Sequence, residues 1–65
     1  MAKQLDLQGR RFWILSEPHD SGWKAFVVEM KGEEQEAMGI DATGETRSAA
    51  DDAAERKLRR LLHAY

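Results

Sequence analysis

Sixty-five residues make one domain, 1–65, and a chain of this size buries only ~60% of the surface exposed by its unfolded state, so its stability margin is thin. Cysteine is absent, which excludes disulfides, thiolate metal sites and cysteine nucleophiles together, and ten basic against twelve acidic residues (formal charge −2) lack the basic excess of a typical nucleic-acid binder. A hydrophobic content of 42% excludes a disordered chain, and no apolar run reaches the length of a membrane span or a signal peptide, so a cytoplasmic protein is expected.

In chain order, "KQLDLQG" (3–9) carries Leu5 and Leu7 at strand spacing and offers a short extra edge strand. "RFWIL" (Arg11–Leu15) is the first firm strand, and "SEPHDSG" after it predicts a turn through its proline, aspartate and glycine. "WKAFVVEM" (Trp23–Met30) follows as the second strand, so the pair reads as an antiparallel hairpin. "KGEEQE" predicts another turn. "EAMGI" (Glu36–Ile40) is a weaker strand with Met38 and Ile40 on one face, and Gly39 marks a bulge or a close approach.

The last third changes period. Alanine, leucine, arginine and lysine dominate "SAADDAAERKLRRLLHAY", which predicts a helix from Ser48 to Ala64. Ser48 and Asp51 have the spacing of a capping box, Asp51 and Asp52 suit the positive end of the helix dipole, and Arg59, Arg60 and His63 suit the negative end. Asp52 with Arg56, and Glu55 with Arg59, stand four apart in the favourable order. Ala50, Ala53, Ala54, Leu58, Leu61, Leu62 and Tyr65 form one apolar stripe. The fold class expected is α+β: a three-stranded antiparallel sheet, four-stranded if 3–9 pair, followed by one C-terminal helix packed on one face, β-β-β-α.

One helix covers one face of such a sheet, and a monomer should then show a polar second face. "WKAFVVEM" does not alternate that way: Trp23, Ala25 and Val27 are apolar, and so are Phe26, Val28 and Met30. On the first strand Trp13 and Leu15 oppose Phe12 and Ile14. A face of that kind commonly marks an association surface, so a homodimer or another protein partner is expected. The plainer alternative has the loops or the first nine residues folding across it. The interface set expected is Trp13, Leu15, Trp23, Ala25 and Val27, with Phe26, Val28 and Met30 as the alternative, because nothing in the pattern decides which set meets the helix.

Chemistry leaves little trace. Ser16, Ser21 and Ser48 fall at turn or cap positions outside any GxSxG elbow, and "GIDATG" lacks the lysine and spacing of a phosphate loop. His19, beside Asp20 in "PHD", reads as a turn residue, and His63 as a helix-end cation. Glu33, Glu34 and Glu36 read as a solvated turn. No enzyme, cofactor or metal is expected. Arg56, Lys57, Arg59 and Arg60 form a basic stripe on the late helix, but Asp51, Asp52 and Glu55 precede it and repel phosphate, so a wet helix face is the better reading.

"GETRSAADDAAERKLRRLL" resembles the end of the HicB-like antitoxin domain, in which a glycine–acid–threonine turn leads into a helix with small residues at four-residue intervals. The matching positions are Gly44, Glu45 and Thr46, then Ala50, Ala54, Leu58 and Leu62. "GWKAFVVEMKG" is similar to that family's glycine–aromatic second strand, and the likeness spans Phe12 to Leu62. The chain departs from the pattern in lacking the proline usual after the second strand, and it ends at Tyr65 where longer members carry a DNA-binding segment. The resemblance implies a non-catalytic domain that self-associates and either neutralises a small RNA-cleaving toxin by covering its active surface or is a solitary relative of that domain with another partner. The layered order also resembles double-stranded-RNA-binding domains, and RNA binding would here have to use Arg56, Arg59 and Arg60 in another manner. In those domains lysines open the last helix, whereas "SAADD" stands here.

Overall fold

A computed structural model describes residues 3–63. Four strands, β1 (Lys3–Leu7), β2 (Arg10–His19), β3 (Gly22–Lys31) and β4 (Glu34–Gly44), form one antiparallel sheet in the order β1-β2-β3-β4, and helix α1 (Arg47–His63) follows. The edge strand expected at Leu5 and Leu7 is present, so the sheet has four strands rather than three. Helix α1 opens one residue before the expected Ser48; the expected end at Ala64, and Tyr65 of the stripe, lie outside the described residues.

The strands outrun their expected limits because every hairpin is closed by two residues only: Leu7 pairs with Arg10, His19 with Gly22 and Lys31 with Glu34. Left-handed backbone makes such tight reversals, and it is supplied by Gln8 (φ 53°) and Gly9 (φ 74°), by Asp20 (φ 52°) and by Gly32 (φ 65°). "SEPHDSG" is therefore mostly strand, and its turn shrinks to Asp20 and Ser21. Pro18 is tolerated inside β2 because β1 reaches only as far as Ile14 and leaves that end of β2 as a sheet edge.

β4 runs on through "DATG" because Gly39 (φ 69°) makes the expected bulge. The register against β3 shifts between Phe26 and Val28, leaving Met38, Gly39 and Ile40 opposite Val27 alone. Met38 and Ile40 both pack against the core, as their shared face requires.

Helix α1 starts abruptly after β4. Thr46, not Ser48, caps it: its Oγ1 accepts the Ala49 N–H at 3.0 Å, and its carbonyl accepts the first helical bond from Ala50 N at 3.0 Å. Asp51 and Asp52 consequently fall in the second turn, the first turn holds no acid, and Arg60 and His63 are the bases of the last turn. Two glycines make this junction close. A Cβ on Gly44 would stand 2.7 Å from Ala50 N and 2.9 Å from Ala49 Cβ, and one on Gly22 would stand 2.5 Å from the Gly44 carbonyl oxygen.

From there the helix crosses the sheet diagonally. Lys57 Nζ reaches the Asp41 carbonyl of β4 at 2.7 Å, Glu55 meets Lys3 of β1 at 2.9 Å, and Leu62 lies beside Leu7. Its buried seam of Ala50, Ala54, Leu58 and Leu62 closes on Phe12, Ile14, Ala25, Val27 and Ala42, with Leu5, Leu7, Trp23, Met38 and Ile40 at the margin. Small residues early and leucines late let the helix start tight against the sheet and widen away from it.

Candidate functional site

The pairing register sorts every strand residue onto one of two faces. Trp13 lies opposite Val28, Leu15 opposite Phe26 and Arg11 opposite Met30, so these six share the side away from the helix. Phe12, Ile14, Trp23, Ala25 and Val27 share the helix side, where they join the core. The two apolar sets of "WKAFVVEM" thus have different fates: one meets α1, and the other remains without a helix.

That division corrects the expected interface set. Trp13 and Leu15 stand on the helix-free side and are partly exposed, but Ala25 and Val27, 0% and 1% exposed, are sealed under α1, and Trp23 packs at the core margin. Phe26, Val28 and Met30, the alternative set, are the residues that accompany Trp13 and Leu15. Turn length causes the difference. A two-residue turn at Asp20 and Ser21 gives paired positions an odd sum, so odd residues of β2 meet even residues of β3.

The helix-free face carries a central stripe of Trp13, Leu15, Phe26 and Val28, with Met30 beside it. Val28 is only 8% exposed yet belongs to no part of the helix-side core. Each end of the stripe holds charges of both signs. At one end Arg11 Nε lies 3.3 Å from Asp6 Oδ1, and at the other Glu17 stands opposite Lys24. The bulge adds a depression of about 230 Å3, with Phe26, Ala37 and Gly39 between Glu17, Lys24 and Asp41. Residues 3–7, expected in the plainer reading to lie across this face, instead extend the sheet sideways and turn Leu5 and Leu7 toward α1.

Charged groups elsewhere are largely committed to the fold. Glu29, 6% exposed, sits on the helix side where α1 no longer covers the sheet; it accepts from Arg10 Nε at 2.8 Å and from Nη2 at 2.7 Å, and the guanidinium lies 5.3 Å from the centre of the Phe12 ring. The Arg10 hydrogen bonds hold the Glu29 carboxyl below its usual value, and that pairing raises Arg10. A depression of about 540 Å3 is lined by these two groups together with Arg11, Asp6 and Met30, so its charges already have partners.

Glu55 is held below its usual value first by Lys3 and then, against some desolvation, by Arg59 at 2.9 Å. At the sheet's other end Arg47 donates to Ser16 Oγ at 3.1 Å and lies 5.4 Å from the centre of the Trp23 ring.

The candidate RNA contacts do not form a free basic stripe. Arg59 is engaged by Glu55 and Lys57 by the Asp41 carbonyl, while Arg56 and Arg60 are exposed. The pair expected between Asp52 and Arg56 is not among the ion pairs of the described residues. His19 is exposed at the end of β2, with Nε2 3.5 Å from Asp20 Oδ2, and His63 is exposed on the last turn. Among the described residues no His, Asp and Glu group could hold a metal ion, and no helix is long and apolar enough to cross a membrane.

Compared with protein-family models, with curated proteins and with solved structures, the chain matches none.

Proposed function

We propose that this chain acts by protein contact rather than by catalysis, and that its helix-free sheet face is the contact surface. One observation carries the reading: Trp13, Leu15, Phe26, Val28 and Met30 lie together on the side of the sheet that α1 leaves uncovered. Large aromatics at the centre of an apolar patch with charged ends are favoured anchors of protein interfaces. The resemblance to HicB-like antitoxin domains fits this reading and names a partner class, a small RNA-cleaving toxin neutralised by being covered. The motif residues behind that resemblance have a physical task here, since Gly22 and Gly44 meet at the start of the helix that seals the opposite face.

The test is direct. A small ribonuclease encoded beside this chain, mixed with it in equal amounts, is expected to lose RNA cleavage, and to keep it when the chain carries Phe26→Asp. Inhibition that survives Phe26→Asp and Trp13→Ala in folded protein refutes the assignment of the face.

A further inference from the structure

A protein of this shape offers four places to a partner strand or sheet: the outer edges of β4 and β1, the half of β2 that β1 leaves unpaired, and the helix-free face. The edges are obstructed. On β4 the bulge at Met38–Ile40 breaks the straight ladder an added strand needs, and Lys57 occupies the Asp41 carbonyl at 2.7 Å. On β2 the unpaired half is Leu15–His19, and Pro18 within it has no N–H to donate. The remaining edge, β1, is five residues long and carries Lys3 and Asp6. Such features prevent sheets from joining edge to edge, whereas the face has no equivalent obstruction.

We propose that a second copy of this chain covers the helix-free face, sheet against sheet, in a helix–sheet–sheet–helix sandwich. This rests on the protein-contact reading above and gives the same surface a second copy as its occupant when no toxin is present, so that copy and toxin compete for it. Two observations select a second copy. The first is charge: Asp6 with Arg11 stand at one end of the stripe, and Glu17 and Asp41 with Lys24 at the other, so each end carries both signs. Such a face carries no strong charge of either sign to repel its own copy, and it gives no attraction to a strongly acidic or strongly basic partner.

The second observation is area. The strands of 5, 10, 10 and 11 residues lie side by side, and at about 3.3 Å per residue and about 4.8 Å between strands they give the sheet face roughly 570 Å2. Two such faces would bury roughly 1,100 Å2, above the ~1,000 Å2 that a specific interface needs and toward the weak end of the range. A twofold face-to-face contact would place Trp13, Leu15, Phe26 and Val28 at its centre, the two sheets about 10 Å apart and about 30° from parallel.

The two tryptophans lie on opposite faces and make the test specific. In Trp23→Phe the sole indole is Trp13; as concentration rises through the micromolar range, mass from light scattering should double and Trp13 emission should move to shorter wavelength. In Trp13→Phe the remaining Trp23, packed at the core margin under α1, should keep its emission throughout. Phe26→Asp should weaken association about 30-fold or more with an unchanged circular dichroism spectrum, and Lys57→Ala should leave the mass as it is. If Phe26→Asp fails to fold, Phe26→Ser with the same mass measurement replaces it. Doubling of mass without a change at Trp13, or doubling that survives the Phe26 variants, places the second copy on an edge; the sandwich is then wrong while the protein-contact reading stands. A single-copy mass at every concentration also overturns the sandwich, and a toxin-dependent shift of Trp13 emission would then assign the face to that other protein.

Discussion

Gly44→Ala tests the tightness of the junction on which the two-layer arrangement depends. Neither Gly44 nor Gly22 has a left-handed φ, so alanine is conformationally permitted at both. Without a steric conflict the substitution would stabilise the protein by about 0.4–1 kcal/mol, because alanine restricts the unfolded chain. The structure predicts the opposite sign. The new Cβ would stand 2.7 Å from Ala50 N and 2.9 Å from Ala49 Cβ, and the nearest obstacle is helix backbone, which cannot rotate away. Overpacking of this kind costs about 1–3 kcal/mol, which leaves a net loss of about 1–2 kcal/mol once the entropic gain is subtracted.

For a domain of this size the total margin is about 3–10 kcal/mol, and each kcal/mol moves the melting temperature by about 4–8 °C. Urea unfolding followed by circular dichroism, at one protein concentration for all variants because association would shift the midpoint, should show Gly44→Ala unfolding earlier by about 1 M or more. Gly22→Ala, with its Cβ 2.5 Å from the Gly44 carbonyl oxygen, should be at least as destabilised. A Gly44→Ala midpoint equal to or above that of the wild type would show that the helix does not start against the strand as described.

Three further outcomes follow from the geometry. Glu29 and Glu55 have carboxyls held low by Arg10 and by Lys3, so their contribution to stability is present above the unfolded value near 4.5 and is lost as pH falls through the depressed folded values; urea midpoints measured from neutral pH downward should fall in that window, and Glu29→Gln should flatten the fall. Gln8 holds φ 53° in a two-residue turn followed by glycine, a position where asparagine relieves part of the ~1–2 kcal/mol left-handed cost; Gln8→Asn should raise the urea midpoint, and a lowered midpoint would contradict the turn. Double-stranded RNA should show no salt-sensitive binding, since Arg59 and Lys57 are engaged within the protein; an affinity that falls steeply as salt is raised, and falls further in Arg56→Ala with Arg60→Ala, would restore the nucleic-acid reading.

What could be read in advance depended on how local the signal was. The helix announces itself through alanine and leucine at helical spacing, and its seam of Ala50, Ala54, Leu58 and Leu62 lies where that spacing puts it. Gly39 is an equally local signal, because a glycine between Met38 and Ile40 on a shared face has few other uses. The cap was misplaced by two residues because Ser48 and Thr46 offer the same chemistry, and only the end of β4 at Gly44 decides between them. Pro18 suggested a turn for a similar reason: whether proline ends a strand depends on whether a neighbour needs its N–H, and the shortness of β1 settles that from a distance.

The composition of the candidate face depends on a single quantity, the number of residues between β2 and β3. With two, Asp20 and Ser21, the odd positions of β2 fall beside the even positions of β3, and Trp13 and Leu15 gather with Phe26, Val28 and Met30. With three and no bulge, the same strands would pair odd with odd, setting Trp13 and Leu15 beside Ala25 and Val27 and moving Phe12 and Ile14 to the side of Phe26 and Val28. Both arrangements satisfy the hydrophobic pattern of the strands, so that pattern alone cannot choose. The helix can, because its early alanines demand a shallow partner, and Ala25 and Ala42 under Ala50 and Ala54 provide one while Phe26 and Val28 would not. Small-on-small packing beneath the first turns therefore sends Phe26 and Val28 to the opposite face. The uncovered apolar stripe is the counterpart of a closely seated helix.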